Sequence, residues 1–198
     1  MGLNDAPYWI SWFIYYFFVN TFISVVCGVL FQSFLFPKSS IVFIILWVFL
    51  YGMSLFSFAV LVSSILQRPL IASIVVTLFH FLTYFLTIPI AQPAVDLSVR
   101  AFFSFIPNIA MGISCVAIGK LEISRGGLNY STLWTEVYSY QVGIALISFI
   151  ANFFIQFLLG LYLDNVLPKE FGKRQHPCFM FQRSYWFGSA YVDQNELK

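Results

Sequence analysis

Residues 70–90, LIASIVVTLFHFLTYFLTIPI, and residues 97–118, LSVRAFFSFIPNIAMGISCVAI, decide how this chain is organised. The first is an unbroken apolar run without a charged residue. A hydrocarbon core takes about 20 predominantly apolar residues to cross, and this run is long enough. The second run is a poor crossing. Arg100 lies near its start and Pro107-Asn108 divides it, leaving two halves of about half the required length. If this piece dips in and returns by the same face, the chain has four crossings and both ends lie on one side. If it crosses, there are five and the ends lie on opposite sides.

Working outward, three further apolar runs occupy about residues 8–31, 41–65 and 137–163. The chain of 198 residues is 60% hydrophobic and only 9% charged, with a mean hydropathy of +0.86. Soluble domains carry about a quarter charged residues, so no soluble reading fits. A β-barrel would show alternating segments of about ten residues, and these runs do not alternate. The expectation is an all-α polytopic membrane protein with four transmembrane helices and a re-entrant helical hairpin at about residues 97–118 on the outer side. Net charge is +2, too small to imply nucleic acid as a partner. Cys27, Cys115 and Cys178 are odd in number and far apart, which implies no disulfide framework, and no ligand spacing suggests a metal. No basic region precedes the first apolar run, so the start does not read as a secretory signal. Met1-Gly2 lacks the Ser or Thr that a myristoylation signal places where Ala6 stands.

The flanks carry the orientation. Tyr8, Trp9 and Trp12 at the start of the first span suit the headgroup level. With four crossings, Arg68, Lys169, Lys173, Arg174, Arg183 and Lys198 share one side; Lys38, Arg100, Lys120 and Arg125 share the other. The side richer in lysine and arginine is expected in the cytosol, which places both termini there. Residues 1–163 then form a partial transmembrane domain and residues 164–198 a cytoplasmic tail. The sequon Asn129-Tyr130-Ser131 falls on the expected outer side, making Asn129 a candidate glycan acceptor, although it lies close to the last span.

Polar residues within the spans form rows. Ser73, Thr77, His80, Tyr84 and Thr87 recur on one helical face of the third span. Such a face is poorly matched to lipid and should turn toward other helices or a polar cavity. His80 is the only ionisable residue well inside a span, hence a functional candidate, with structural hydrogen bonding as the simpler account. Tyr16, Asn20, Ser24, Gly28 and Gln32 form a second row, and Ser148, Asn152, Gln156 and Gly160 a third. Ser24 with Gly28, and Ala59 with Ser63, are small-residue pairs that permit close helix contact. The candidate substrate path is therefore Asn20, Ser24, Thr77, His80, Tyr84, Thr87, Asn152 and Gln156, with Pro107 and Asn108 at the hairpin bend; ordinary interhelical packing is the competing account. No acid chain or intramembrane charge pair argues for a proton-driven pump. The sequence contains no Gly-x-x-x-x-Gly-Lys-Ser/Thr, Gly-x-Ser-x-Gly or His-Glu-x-x-His motif, so no enzyme is expected and any energy source must lie outside this chain.

Several segments are similar to the A subfamily of ABC transporters. Tyr8-Trp9-Ile10-Ser11-Trp12-Phe13 resembles the start of one of its membrane spans. Pro107-Asn108-Ile109-Ala110-Met111-Gly112 with Ile118-Gly119-Lys120-Leu121-Glu122 resembles its outer helical hairpin. Leu167-Pro168-Lys169-Glu170-Phe171-Gly172 and Arg183-Ser184-Tyr185-Trp186-Phe187 resemble the stretch leading to its nucleotide-binding domain. The resemblance implies spans three to six of a half-transporter, a part of a machine that moves lipids or sterol-like molecules with ATP. ATP and Mg²⁺ would act in an ATPase domain that this chain lacks. Partners would be membrane lipids and, in the same parent chain, the other transporter half and the ATPase domains. A fragment, inactive alone, is expected on this reading. A stand-alone accessory or scaffold protein, binding other membrane proteins through its small-residue faces, is the alternative. A channel or secondary carrier is disfavoured by the lack of inverted repeats.

Overall fold

The computed structural model describes residues 5–66, 68–124, 126–137 and 140–167. Its helices, in chain order, are α1 (Asp5–Phe34), α2 (Ile41–Ile65), α3 (Pro69–Ile90), α4 (Leu97–Phe103), α5 (Pro107–Ser124) and α6 (Val142–Val166). Four of them are long and apolar enough to cross a bilayer: Ile10–Phe34 within α1, then α2, α3 and α6. A helix satisfies its own N–H and C=O groups, which lipid cannot do. Among the described residues the chain is thus an all-α polytopic membrane protein with four helices able to cross a bilayer.

The hub is α2. It packs most extensively on α6, then on α1, and also touches α3 and α5. Two small residues let backbones close up. A methyl group at Gly160 would lie 3.1 Å from Leu61 Cα, and one at Gly28 would lie 3.1 Å from Ile45 Cα. By contrast, Ala59 and Ser63 are exposed, and the Ser63 hydroxyl donates to its own helix at Val60 O. A helix that is apolar all round does not advertise which of its small-residue pairs will be covered.

The connection at residues 35–40 marks one end of the bundle, and Leu66 and Arg68 the other. α3 returns to the first end, so α4 starts there. The tip of the α4–α5 pair lies halfway down. Asn108 meets Tyr51, and Ser104 meets Asn152. Counting from Ile41 to Tyr51 and from Val142 to Asn152, each partner sits about 15 Å into its helix. α5 then climbs back to the starting end, where Glu122 meets Lys38 and Ser39. Pro107 opens α5, where a missing N–H costs nothing and its fixed φ suits a helix.

Two boundaries differ most from the expected ones. α5 continues past residue 118 to Ser124, because Lys120 and Glu122 occupy helical positions with partners rather than a polar loop. The last span starts at Val142 rather than at residue 137, because Val137 and Tyr140 exchange backbone hydrogen bonds of 2.8 and 3.0 Å that close a turn first. The tail at residues 168–198, with its cations and Cys178, lies outside the described residues, as do Gln67 and Arg125.

Candidate functional site

The polar residues singled out within the spans fall into two groups. Asn20, Ser24, Asn152 and Gln156 belong to the closed α1–α2–α6 packing. Asn20 is buried against Gly52 and donates to Phe49 O at 3.0 Å. Ser24 is buried, and its hydroxyl has no hydrogen-bond partner among the described residues. Asn152 is buried and donates to Ser104 O at 3.0 Å. Gln156 Oε1 accepts from Ser57 at 3.3 Å. Aromatic rings cluster beside this region: Phe153 and Phe157 stack at 5.7 Å, and Phe13 contacts both.

The second group stands on α3. His80, Tyr84 and Thr87 line a cavity of about 740 Å³ between the end of α1, α2, α3 and α5. This volume falls in the range of about 300–1,000 Å³ typical of small-molecule sites. Asn108, at the hairpin bend, lines it as well; Pro107 is buried beside it. Thr77 lies outside the cavity, exposed, with its hydroxyl donating to Ser73 O at 2.8 Å. The helix row of α3 therefore splits by depth: its upper part faces the cavity and its lower part faces outward.

Hydrogen bonds fix the cavity wall. Tyr51 Oη donates to Asn108 Oδ1 at 2.8 Å, Asn108 Nδ2 donates to Thr83 Oγ1 at 2.9 Å, and Thr83 Oγ1 donates to Phe79 O at 2.8 Å. Gly112 lets α5 approach: a methyl there would fall 2.3 Å from Thr87 Cγ2. His80 Nδ1 lies 2.9 Å from Val76 O. A carbonyl only accepts, so Nδ1 carries a proton in this contact. Tyr51 and Thr83 escaped the sequence reading. Thr83 sits one position off the α3 row, and with Ile90 it is one of the two buried residues of that helix. No periodic signal distinguishes it.

Two further nodes tie the hairpin down. Glu122 is buried; Oε1 accepts from Lys38 N and Oε2 from Ser39 Oγ at 2.7 Å. Ser39 Oγ in turn accepts from Leu128 N at 2.8 Å. Gly127, at φ +89°, passes so close that a methyl would meet Lys38 C at 2.5 Å, hence a residue without a Cβ is needed. At the tip, Ser104 Oγ and Tyr140 Oη are hydrogen-bonded at 2.9 Å, and nearer the end of α3 Arg100 Nη2 donates to Gln92 O. Burial pushes the Tyr140 phenol up to about 12, against smaller opposing effects of Ser104 and the Arg100 charge. Asn129 is half-buried and donates to Gly126 O at 3.2 Å, while Tyr130 and Ser131 are exposed. Among the described residues no cluster of His, Cys, Asp or Glu could hold a metal ion.

Comparison with known proteins places this architecture. Residues 1–162 match the ABC-2 family transporter protein family. The cholesterol transporter ABCA5 of Homo sapiens is 29% identical over 191 residues, covering 94% of this chain and 11% of that protein. ABC transporter A family member 9 of Arabidopsis thaliana is 28% identical over 212 residues, covering 95% of this chain and 21% of the relative. ABC transporter A family member 7 of Dictyostelium discoideum is 30% identical over 188 residues, covering 92% of this chain and 22% of the relative. The chain thus spans roughly a tenth to a fifth of the length of these relatives. With a family match across most of its length and four apolar helices to go with it, the chain belongs to the ABC-2 family of transporter proteins and is similar to transmembrane regions of the A subfamily.

Proposed function

We propose that this chain is the membrane-spanning part of an ATP-driven transporter of lipids or sterol-like molecules, and that it works only with ATPase domains and a second transmembrane half. ATP and Mg²⁺ would be handled in those domains. α4–α5 is then a re-entrant hairpin in the outer leaflet, and both termini lie in the cytosol. The observation that carries this reading is the course of α4–α5, which descends about half the length of a span and returns to the end it came from. Irregular backbone at that depth is tolerated where protein covers it, and Ser104 and Pro107 are buried. The modest excess of cations on the opposite face supports the same orientation. A relative bears the name cholesterol transporter, which suggests the substrate class. The path for the substrate is proposed along His80, Tyr84 and Thr87, with Asn20, Ser24, Asn152 and Gln156 serving the packing beside it and Thr77 facing lipid or a partner helix. Asn129 would carry a glycan on the outer side.

The test is topological and functional. In sealed microsomes, tags at both ends should be digested from the cytosolic face, and a cysteine replacing Pro107 should resist cytosolic labelling. Ends in different compartments would overturn the reading. Joined to its ATPase partners, the chain should support ATP-dependent sterol or phospholipid efflux; a folded assembly without any such efflux would remove the transporter assignment.

A further inference from the structure

The side-chain hydrogen bonds of α3 run almost wholly within the helix itself. We infer that α3 is the movable wall of the cavity: its stretch from His80 to Ile88 swings away from α5 when a single latch, the hydrogen bond from Asn108 to Thr83, is released. This adds a moving part to the proposed substrate path and rests on the transporter reading only for its efflux readout.

Three observations carry it. The first is attachment. Ser73 donates to Leu70 O, Thr77 to Ser73 O, Thr83 to Phe79 O, Thr87 to Thr83 O, and His80 Nδ1 to Val76 O. Among the described residues, the one hydrogen bond between α3 and another helix is that of Asn108 Nδ2 to Thr83 Oγ1, at 2.9 Å. Thr83 is only the acceptor there, so its hydroxyl keeps its own bond when the latch opens. The donor set free is Asn108 Nδ2, on a residue that borders the cavity. The other spans differ. Tyr16 and Asn20 of α1 donate to Gly52 O and Phe49 O of α2, and the buried Asn152 of α6 donates to Ser104 O. Withdrawing α1 or α6 would strand those donors among packed residues, a larger cost than opening the latch. Apolar packing adds little restraint, since Thr83 and Ile90 are the buried residues of α3.

The second observation is pliability. Thr77, Thr83 and Thr87 each return a hydroxyl to the carbonyl four residues back, a bond that bends helices. Pro89 lies inside the helix and withholds the N–H that would reach Phe85 O. The third is where the fixed points fall. Below, Phe58 of α2 stacks on Phe79 at 5.0 Å; above, Gln92 O is held by Arg100. Between those points lie His80, Tyr84, Thr87 and Ile88, the residues that α3 contributes to the cavity.

The experiment locks the wall. A Cβ at position 112 would lie 3.3 Å from Thr87 Cβ, and one at position 28 would lie 3.3 Å from Ile45 Cβ. Both are near the separation of about 3.8 Å that a disulfide takes. The two cysteine pairs are built in a chain with Cys27, Cys115 and Cys178 replaced by Ser, joined to its ATPase partners. Oxidising Thr87→Cys with Gly112→Cys should lower ATP-dependent lipid efflux about tenfold against the same variant reduced. Oxidising Gly28→Cys with Ile45→Cys, which ties α1 to α2, should leave the rate unchanged. Each comparison uses one protein in two redox states, so folding does not enter. Motion is read separately by electron paramagnetic resonance. Spin labels at Leu35 and Ile88, exposed residues that line the cavity from α3 and from beyond the end of α1, should give a distance distribution about twice as broad as labels at Phe34 and Val42. Asn108→Leu, which removes the latch without touching α3, should broaden it further, and Pro89→Ala should narrow it. Equal widths for the two pairs, or undiminished efflux with α3 locked to α5, would overturn the movable wall. Broad α3 distances in an assembly that moves no lipid in any redox state would keep the wall and remove the transporter reading.

Discussion

The seam between α2 and α6 and the wall between α3 and α5 use the same residue types at similar helical spacing. In the seam, Asn152 and Gln156 are held by Ser104 and Ser57, and glycine brings the backbones together. In the wall, Asn108 and Gly112 draw α5 against α3 in the same manner. The difference lies in what stands behind. α6 is a full-length span that matches α2 along its whole course, whereas α5 reaches only halfway. Below its tip α3 has little to pack on: its buried residues, Thr83 and Ile90, lie in the upper part of the helix. A full-length partner makes a closely packed seam, and a half-length partner leaves a cavity with an exposed helix beneath it.

That contrast can be broken first at Glu122. Glu122→Ala removes both acceptors that tie α5 to the 35–40 connection and leaves Ser39 and Lys38 N without them. On the order of 3 kcal/mol should be lost, read as a large fall in the detergent melting temperature, with faster alkylation of Cys115 as the wall loosens. Unchanged melting would mean that the hairpin is held by apolar contact alone. A smaller effect is expected at Asn152→Leu, about 1 kcal/mol, since interhelical hydrogen bonds in membranes average about 0.6 kcal/mol and Ser104 O also loses its donor. A loss no larger than the error there would place the strength of the seam in its glycine contacts. Thr77→Val should sharpen the contrast by doing almost nothing to stability, because its hydroxyl bonds only within its own helix. A substantial drop would mean that lower α3 is covered in the membrane by a neighbour.

The spans were legible because membrane crossing is written in length and hydropathy. The boundaries of α2, residues 41–65, need nothing else. The break at Pro107 was legible too, since proline fixes a helix start wherever it falls. Which polar residues would meet was not. Asn20 and His80 look alike as isolated polar residues in apolar runs, yet one is packed against Gly52 and the other borders a cavity. That outcome depends on crossing geometry, which four helices apolar on all sides leave open. Glu122 reads as a loop acid from sequence. Its role emerges only when α5 and the first connection, more than eighty residues apart in the chain, come together.

The tip of the hairpin is bonded at one level to three spans: to α2 through Tyr51, to α3 through Thr83 and to α6 through Asn152. Sliding one of those spans by a single residue, about 1.5 Å, would break its bond at the tip. Tilting them about that level would break none. The tip is therefore a fulcrum, and any reshaping of the membrane region that keeps these bonds must swing the two halves of each span in opposite directions, widening one leaflet as it narrows the other.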